Sequence, residues 1–484
     1  MRTRSPSTAS VPLASALEVT RQSASGQIGS GQSSTDGDTE SEEDSSADEW
    51  NSKDWRCARF QGTLPLVLSA RIPLEVFGLI IDEMDQFTSA AAALVCTAWH
   101  PRAMRSLYRI VNISSRTSFD ILIKQCRASP HVKRWLATTR ELVANDYERS
   151  YGNSKHHPFL QVLPIALVHA MPGVRTLCMR GGNLRFIRPT FFLGLLHFKA
   201  VTSLTLCGCK LNNLEQLWRI IWAFPQLTDL SITGIELTQE LGGPACCPGA
   251  TPVQSPRLQR LNIDIDVKSA VLVTFIDCMT HSGCFTSLKE LRPWLVYKFE
   301  NSLENLTKAL EATGGSLTLY HECCTGVDCE PAPDGRDDHG NLSHNTALRS
   351  LGFQMNDICP EHGDQWLEPY IKWVDELYGV LSTVRSYELE YIKIQSMLGY
   401  YDHDYRELEF VLENIDLGAL HEVMGRPYFD VLEDVEVKMD LFGVLNDSKV
   451  DDVGRRLAPV YRGLLRPWSD RGIVNVIQCG SGLS

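Results

Sequence analysis

Four segments of this chain repeat one template: VRTLCMRG at 174–181, VTSLTLCG at 201–208, LTDLSITG at 227–234 and LQRLNIDI at 258–265. Each has an apolar residue, two variable residues and then leucine-x-apolar, which puts Leu177, Leu204, Leu230 and Leu261 in register at steps of 27, 26 and 31 residues. Alternation with period two fits a half-buried strand. The steps are too long for hairpins but long enough for a helix that carries the chain back to start a parallel neighbour. The connections have that helical character. Leu214, Leu217, Trp218 and Ile221 stripe one face after Asn213, Gln216 is placed to complete a cap, and Pro225 stops the pattern. Leu272, Phe275, Ile276 and Met279 do the same after Ser269. A unit of one strand and one helix at this period predicts an α/β fold of the leucine-rich-repeat solenoid type, with parallel strands.

Later units are less regular. Leu288 to Leu291 fits the template, Leu303, Leu306 and Leu310 predict a helix closed by Gly314-Gly315, and Leu317 to Leu319 reads as the next strand. Cys323 to His344 is polar, so a loop insertion is expected over about 320–346, after which ALRSLGF restores the template with Leu348 and Leu351. Helical segments follow at Trp366 to Leu381 and Ile415 to Met424, then a strand at Val431 to Val437, a helix at Arg455 to Leu465 and a last strand in GIVNVIQ. The solenoid is therefore expected over 171–480. Residues 113–170, with a helix-like run from Phe119 to Cys126 and Arg134-Trp135-Leu136 before a polar loop, are expected as a helical connector.

The first 55 residues are rich in Ser, Thr, Gly, Gln and Ala and end in DGDTESEEDSSADEW. Such a segment cannot offset its ordering entropy and is expected to be a disordered tail. Ser41, Ser45 and Ser46 each have an acidic residue three positions later, the pattern acid-directed kinases prefer. A net charge of -13 argues against sequence-independent binding to nucleic acid. No apolar run is long enough to span a membrane; Phe191 to Phe198 is far too short. Fifteen cysteines, an odd number scattered in apolar patterns without a secretory leader, fit reduced thiols in cytoplasm or nucleus. Partners are expected to be proteins, not nucleic acid and not membrane.

Residues 71–109, RIPLEVFGLIIDEMDQFTSAAAALVCTAWHPRAMRSLYR, stand apart from the repeats. Pro73 suits the first turn of a helix. Leu74, Phe77, Ile81 and Met84 make one apolar face, and Val76 and Ile80 a second beside it. Ala92, Val95, Cys96 and Trp99 repeat the pattern in a second helix, and Pro101 can open a third that runs to about Tyr108. Three short helices cannot bury all that surface alone, so one face is spare. The segment resembles the F-box, the adaptor-binding module of cullin-based ubiquitin ligases. Ile72-Pro73 with Glu75 stands where the family opens with Leu-Pro and an acidic residue, Leu94-Val95-Cys96 with Trp99 matches its Leu-Val-Cys and Trp, and Leu107-Tyr108-Arg109 matches its closing aromatic turn. Two features depart from the family: Ile72 for leucine, and the run Ala90 to Ala93. With the tail and the degenerate repeats, residues 71 to about 477 resemble the F-box proteins of mushroom-forming fungi. The resemblance implies an F-box at 65–112 that binds a Skp-type adaptor, and through it a cullin, by way of Ile72, Pro73, Val76, Ile80, Leu94, Val95, Cys96 and Trp99. It also implies a repeat domain that holds a protein substrate, and no catalysis by the chain itself.

Catalytic motifs are missing from the sequence. It contains no paired Cys-x-x-Cys units with histidine at zinc spacing, no phosphate loop ending in Lys-Ser or Lys-Thr, and no Gly-x-Ser-x-Gly elbow. His321, Cys323, Cys324 and Cys329, with His339 and His344 beyond, form a metal-like cluster, but adjacent cysteines are poor geometry for one tetrahedral site. Neither metal nor cofactor is expected, and the His156-His157 pair is left without a role. The polar positions alternating with the core leucines offer Thr205, Asp229, Ser231, Arg260 and Asn262 as candidate substrate contacts on the concave strand face. A substrate-recognition subunit of a Skp-cullin-F-box ligase is the reading the sequence supports, with a repeat scaffold acting outside a ubiquitin ligase as the alternative.

Overall fold

The computed structural model describes residues 72–147, 158–238, 256–264, 269–295, 302–324, 339–355, 368–399, 412, 414–442 and 447–480. The acidic tail, His156-His157 and most of the expected insertion, including Cys329, lie outside them. Strand-forming segments alternate with helices over most of the chain, and their parallel strands build one sheet in the order β1 (Ile110–Ile113), β2 (Glu141–Asn145), β3 (Thr176–Arg180), β4 (Ser203–Cys207), β6 (Asp229–Thr233), β8 (Arg260–Asp264), β9 (Glu290–Leu295), β10 (Leu319–His321), β12 (Ser350–Met355), β13 (Tyr391–Gly399), β14 (Asp434–Phe442) and β15 (Val474–Gly480). Two short strands, β5 (Lys210–Leu211) and β7 (Glu236–Leu237), pair beside it, and β11 (Cys323–Cys324) joins β9.

The register follows from the leucine template. One ladder of paired positions runs from Val111 through Leu142, Leu177, Leu204, Leu230, Leu261 and Leu291 to Tyr320, Leu351, Ile392, Val435 and Val474. Slipping any strand by one residue would turn its apolar set out of the core, so burial on one face fixes the pairing. The helices cover that face. Their side chains join the ladder in one core cluster that extends from Ile113 to Trp468 and includes the fully buried Trp218, Trp373 and Trp468. The cap expected at residue 213 is present: Asn213 accepts from the Gln216 amide at 3.1 Å, and the Gln216 side chain accepts from the Asn212 amide at 2.8 Å. Gly181, Gly208 and Gly234, which close the first three templates, all have positive φ, +68°, +58° and +56°. At Gly208 and Gly181 a side chain would also meet the Tyr147 ring laid across them.

Besides the second helix, which ends at Val95 and leaves Cys96 and Trp99 outside it, three features of the sheet differ from the sequence expectations. The sheet begins at residue 110, inside the span expected as F-box and connector; its first two units are hidden in the sequence because Tyr108 and Thr139 stand at the position that is aliphatic in the recognisable units. Thr139 is tolerated there, fully buried, because its hydroxyl donates to the Tyr108 carbonyl at 2.9 Å. Strand β13 was not expected at all, although Leu389-x-x-Ile392-x-Ile394 matches the template. Successive ladder residues are 29–31 apart from Leu230 to Leu351, then 41, 43 and 39 apart to Val474, so a search for a short period passes over the long units. The strand expected at Leu317 begins at Leu319.

Between β9 and β10 the ladder breaks. Leu319 and Tyr320 pair with Glu290 and Leu291, and pairing resumes only at Cys323 and Cys324 with Trp294 and Leu295. Pro293 lies opposite the gap and has no N–H to give. At this level Glu322 occupies an interior position that is apolar in other units, and it is 1% exposed. His339 answers it. The ring nitrogens of His339 reach Glu322 at 3.3 Å and Glu376 at 2.8 Å, the Tyr320 hydroxyl donates to Glu322 at 2.9 Å, and the Phe353 ring stands edge-on to the imidazole.

Candidate functional site

Ahead of the sheet, α1 (Leu74–Asp82), α2 (Gln86–Val95) and α3 (His100–Leu107) form a unit with its own small core. Pro73 opens α1. Asp85 caps α2, accepting from the Thr88 amide at 2.8 Å, and this bond holds its carboxyl below the usual range. Small residues let α2 approach α3: Ser89, Ala92 and Ala93 are buried, the Ser89 and Ser106 hydroxyls meet at 3.3 Å, and a His100 ring nitrogen lies 2.9 Å from the Ala93 carbonyl. The alanine run that departs from the F-box pattern is thus the seam of the unit. Helix α1 adds Ile81 to the core and rests Phe77 on Trp99, with ring centroids 5.1 Å apart. Arg102 lies over Gly78 and grips Asp82 with two bonds, of 3.0 and 2.6 Å. That grip holds the Asp82 carboxyl below its usual range.

No linker separates this unit from the sheet. Helix α3 ends two residues before β1, the Gln86 side chain lies 3.3 Å from both the Leu107 and Ile110 carbonyls, Tyr108 packs against both cores, and Trp135 of the helix Pro130–Leu136 closes the small one.

What the unit leaves outside is apolar. Of nineteen large hydrophobic side chains exposed among the described residues, seven fall between positions 74 and 95. Phe87, Leu94, Leu79 and Val95 are 80%, 75%, 64% and 62% exposed, and Leu74, Val76 and Ile80 are about half exposed. A scattered exposed leucine means little, but this density on two adjoining helices is what an interaction surface carries. Of the eight residues singled out by resemblance, Pro73, Val76, Ile80, Leu94, Val95 and Cys96 are exposed, while Ile72 and Trp99 are half-buried, Trp99 as part of the small core. Leu74, which shares its helix face with Ile81, is exposed, whereas Ile81 is buried in the small core. Leu79 and Phe87 escaped the sequence reading. The available signal was that LEVFGLII has one charged residue, Glu75, in eight, which leaves more apolar surface than a single buried face can absorb.

The five candidate substrate contacts do lie together on the open face of the sheet. Thr205, Ser231 and Asn262 are successive partners, as are Asp229 and Arg260. They are half-buried apart from exposed Arg260, and two pairs among them are in contact: Arg260 pairs with Asp229, and the Asn262 amide donates to Ser231 at 3.3 Å. Of the metal-like cluster, Cys329 lies outside the described residues, and the described His321 and His339 are engaged separately. His321 lies on the open face over Gly352, where burial and the nearby Lys393 and Arg292 push its imidazole down. His339 is spent on two carboxylates at opposite ring nitrogens, which share no common ligand point. No group of three His, Cys, Asp or Glu among the described residues could hold a metal ion, and no helix among them is long and apolar enough to cross a membrane.

No family profile matches the chain, and no curated protein matches it. Among solved structures it is similar to the crystal structure of an internalin from Listeria monocytogenes, at 12% identity over 67% of this chain and 91% of that one, with a TM-score of 0.27. A likeness at that level carries no argument about function.

Proposed function

We propose that the chain is a recruitment subunit: the three-helix unit docks onto a Skp-type adaptor of a cullin ubiquitin ligase, and the repeat sheet holds a protein to be modified. The observation that carries this reading is the exposed apolar surface of α1 and α2, joined to the F-box-like residues that line it. Burying side chains of this kind is worth about 1.5–3 kcal/mol each when complete, so two or three of them suffice as hot spots. Because α3 runs directly into β1, a partner on the helices and a partner on the sheet would be held at a fixed relation. Such a subunit raises the effective concentration of one protein beside another and needs no catalytic side chain of its own.

Co-purification with a Skp-type adaptor, beside a verified F-box control, tests the reading. Wild-type protein should capture the adaptor. Pro73→Ala combined with Leu94→Asp should abolish capture while circular dichroism stays nearly unchanged, since both positions are exposed. Absence of wild-type capture would leave the repeat scaffold outside a ubiquitin ligase as the better account.

A further inference from the structure

Just before the strands begin, one rung of the sheet carries Arg109, Arg140 and Arg175 on neighbouring chain segments. The Arg140 amide donates to the Arg109 carbonyl at 2.9 Å and the Arg175 amide to the Arg140 carbonyl at 2.7 Å, so the three residues are successive steps of one ladder. Neighbouring strands lie about 4.8 Å apart. All three side chains are exposed, and none has an acidic partner at ion-pair distance among the described residues. The nearest acids are committed elsewhere or offset: Asp82 is gripped by Arg102, and Glu141 lies on the following rung without an ion pair. Further along the same rung the charge is handled differently. There Arg349 meets Glu388 at 3.3 Å and Glu390 at 3.8 Å, so its charge is balanced within the sheet. Three like charges placed side by side repel, and none of the three is held in an ion pair among the described residues; Asp82, near enough to Arg109 to feel its charge, is already bonded to Arg102.

We propose that Arg109, Arg140 and Arg175 form a docking stripe for an acidic polypeptide segment that runs across the strand starts. The chemistry suits carboxylates: guanidinium groups take them in paired hydrogen bonds, and an extended peptide repeats its side chains on one side every two residues, about 6.6–6.8 Å, a spacing long arginine side chains can follow. Nucleic acid fits less well, because the chain as a whole carries a net charge of -13 and no aromatic side chain interleaves the three arginines on their rung. None of the three arginines is among the exposed apolar residues of the helices, so a role for them holds whatever the adaptor is.

The test is fluorescence anisotropy with a labelled octaglutamate peptide and the full chain at low salt. Wild-type protein should bind, and binding should weaken as salt rises. Replacing all three residues, Arg109→Gln, Arg140→Gln and Arg175→Gln, should weaken binding at least about tenfold, since each exposed pair contributes a few-fold. A control triple at other exposed basic positions, Arg188→Gln, Lys199→Gln and Arg462→Gln, should change it less than about twofold by the same scale. Thermal melts of both triples should match wild type, which separates lost binding from lost fold. Equal weakening by the two triples, no binding by wild type, or tighter binding of a single-stranded oligonucleotide of equal charge would each overturn the proposal.

Discussion

Replacing His339 by leucine removes a cation whose side chain is almost wholly buried. The imidazole sits between Glu322 and Glu376, and the side chains are 4%, 1% and 2% exposed. Burial opposes its charge, but Glu322 and then Glu376 outweigh it and raise its pKa to about 10. His339→Leu keeps much of the volume but leaves two carboxylates together without a cation, which costs about 3–5 kcal/mol when one partner of a buried pair is removed. For a cooperative unit of roughly 150–250 residues, each kcal/mol lowers Tm by about 2–4 °C, and by less in a larger one, so a loss of about 5–10 °C is expected at pH 7. The triple change His339→Leu, Glu322→Leu and Glu376→Leu removes all the charge and should recover most of the loss. The pH dependence has a definite sign. The folded pKa lies above the ordinary 6.5, so the stabilisation is fully present below that value and is lost as pH rises through about 10. Urea unfolding of wild type and His339→Leu at intervals from pH 6 to 10 measures it. The gap between the two proteins should narrow steadily with pH. A His339→Leu loss under about 1 kcal/mol, or a gap independent of pH, would refute the assignment of a charged, buried His339.

Other outcomes follow from single contacts. Gly78→Ala puts a methyl group where the Arg102 guanidinium lies, so the two-pronged grip on Asp82 should break. Both groups are solvent-accessible, so chemical denaturation should show a small loss, and it should vanish as pH falls through the lowered pKa of Asp82. Gly208→Ala combines a left-handed backbone with a clash against Tyr147, and thermal unfolding should show a loss of about 1–2 kcal/mol or more. Asn345 is buried and donates to the Leu310 and Gly314 carbonyls, each at 3.0 Å, closing the helix Ser302–Thr313. Asn345→Leu should therefore cost about 1–3 kcal/mol and speed amide exchange in the last turn of that helix.

The sequence by itself determined the repeat and its register. Leu177, Leu204, Leu230 and Leu261 predicted one another's partners because a side chain's face in a strand depends only on parity, a local property of the chain. The helix stripe after Asn213 and its cap were legible for the same reason. What lay beyond reach depends on neighbours distant in sequence. That Thr139 could fill an apolar slot follows from a carbonyl at residue 108, and that Glu322 could lie in the core follows from His339 and Glu376 arriving from other elements. The candidate surface divides the same way. Periodicity gave α1 more apolar faces than one core can use, but only tertiary packing decided that Ile81 goes in and that Leu74, Leu79 and Phe87 stay out. Exposure is set by what the rest of the chain fails to place against a residue, and no pattern within α1 or α2 records it.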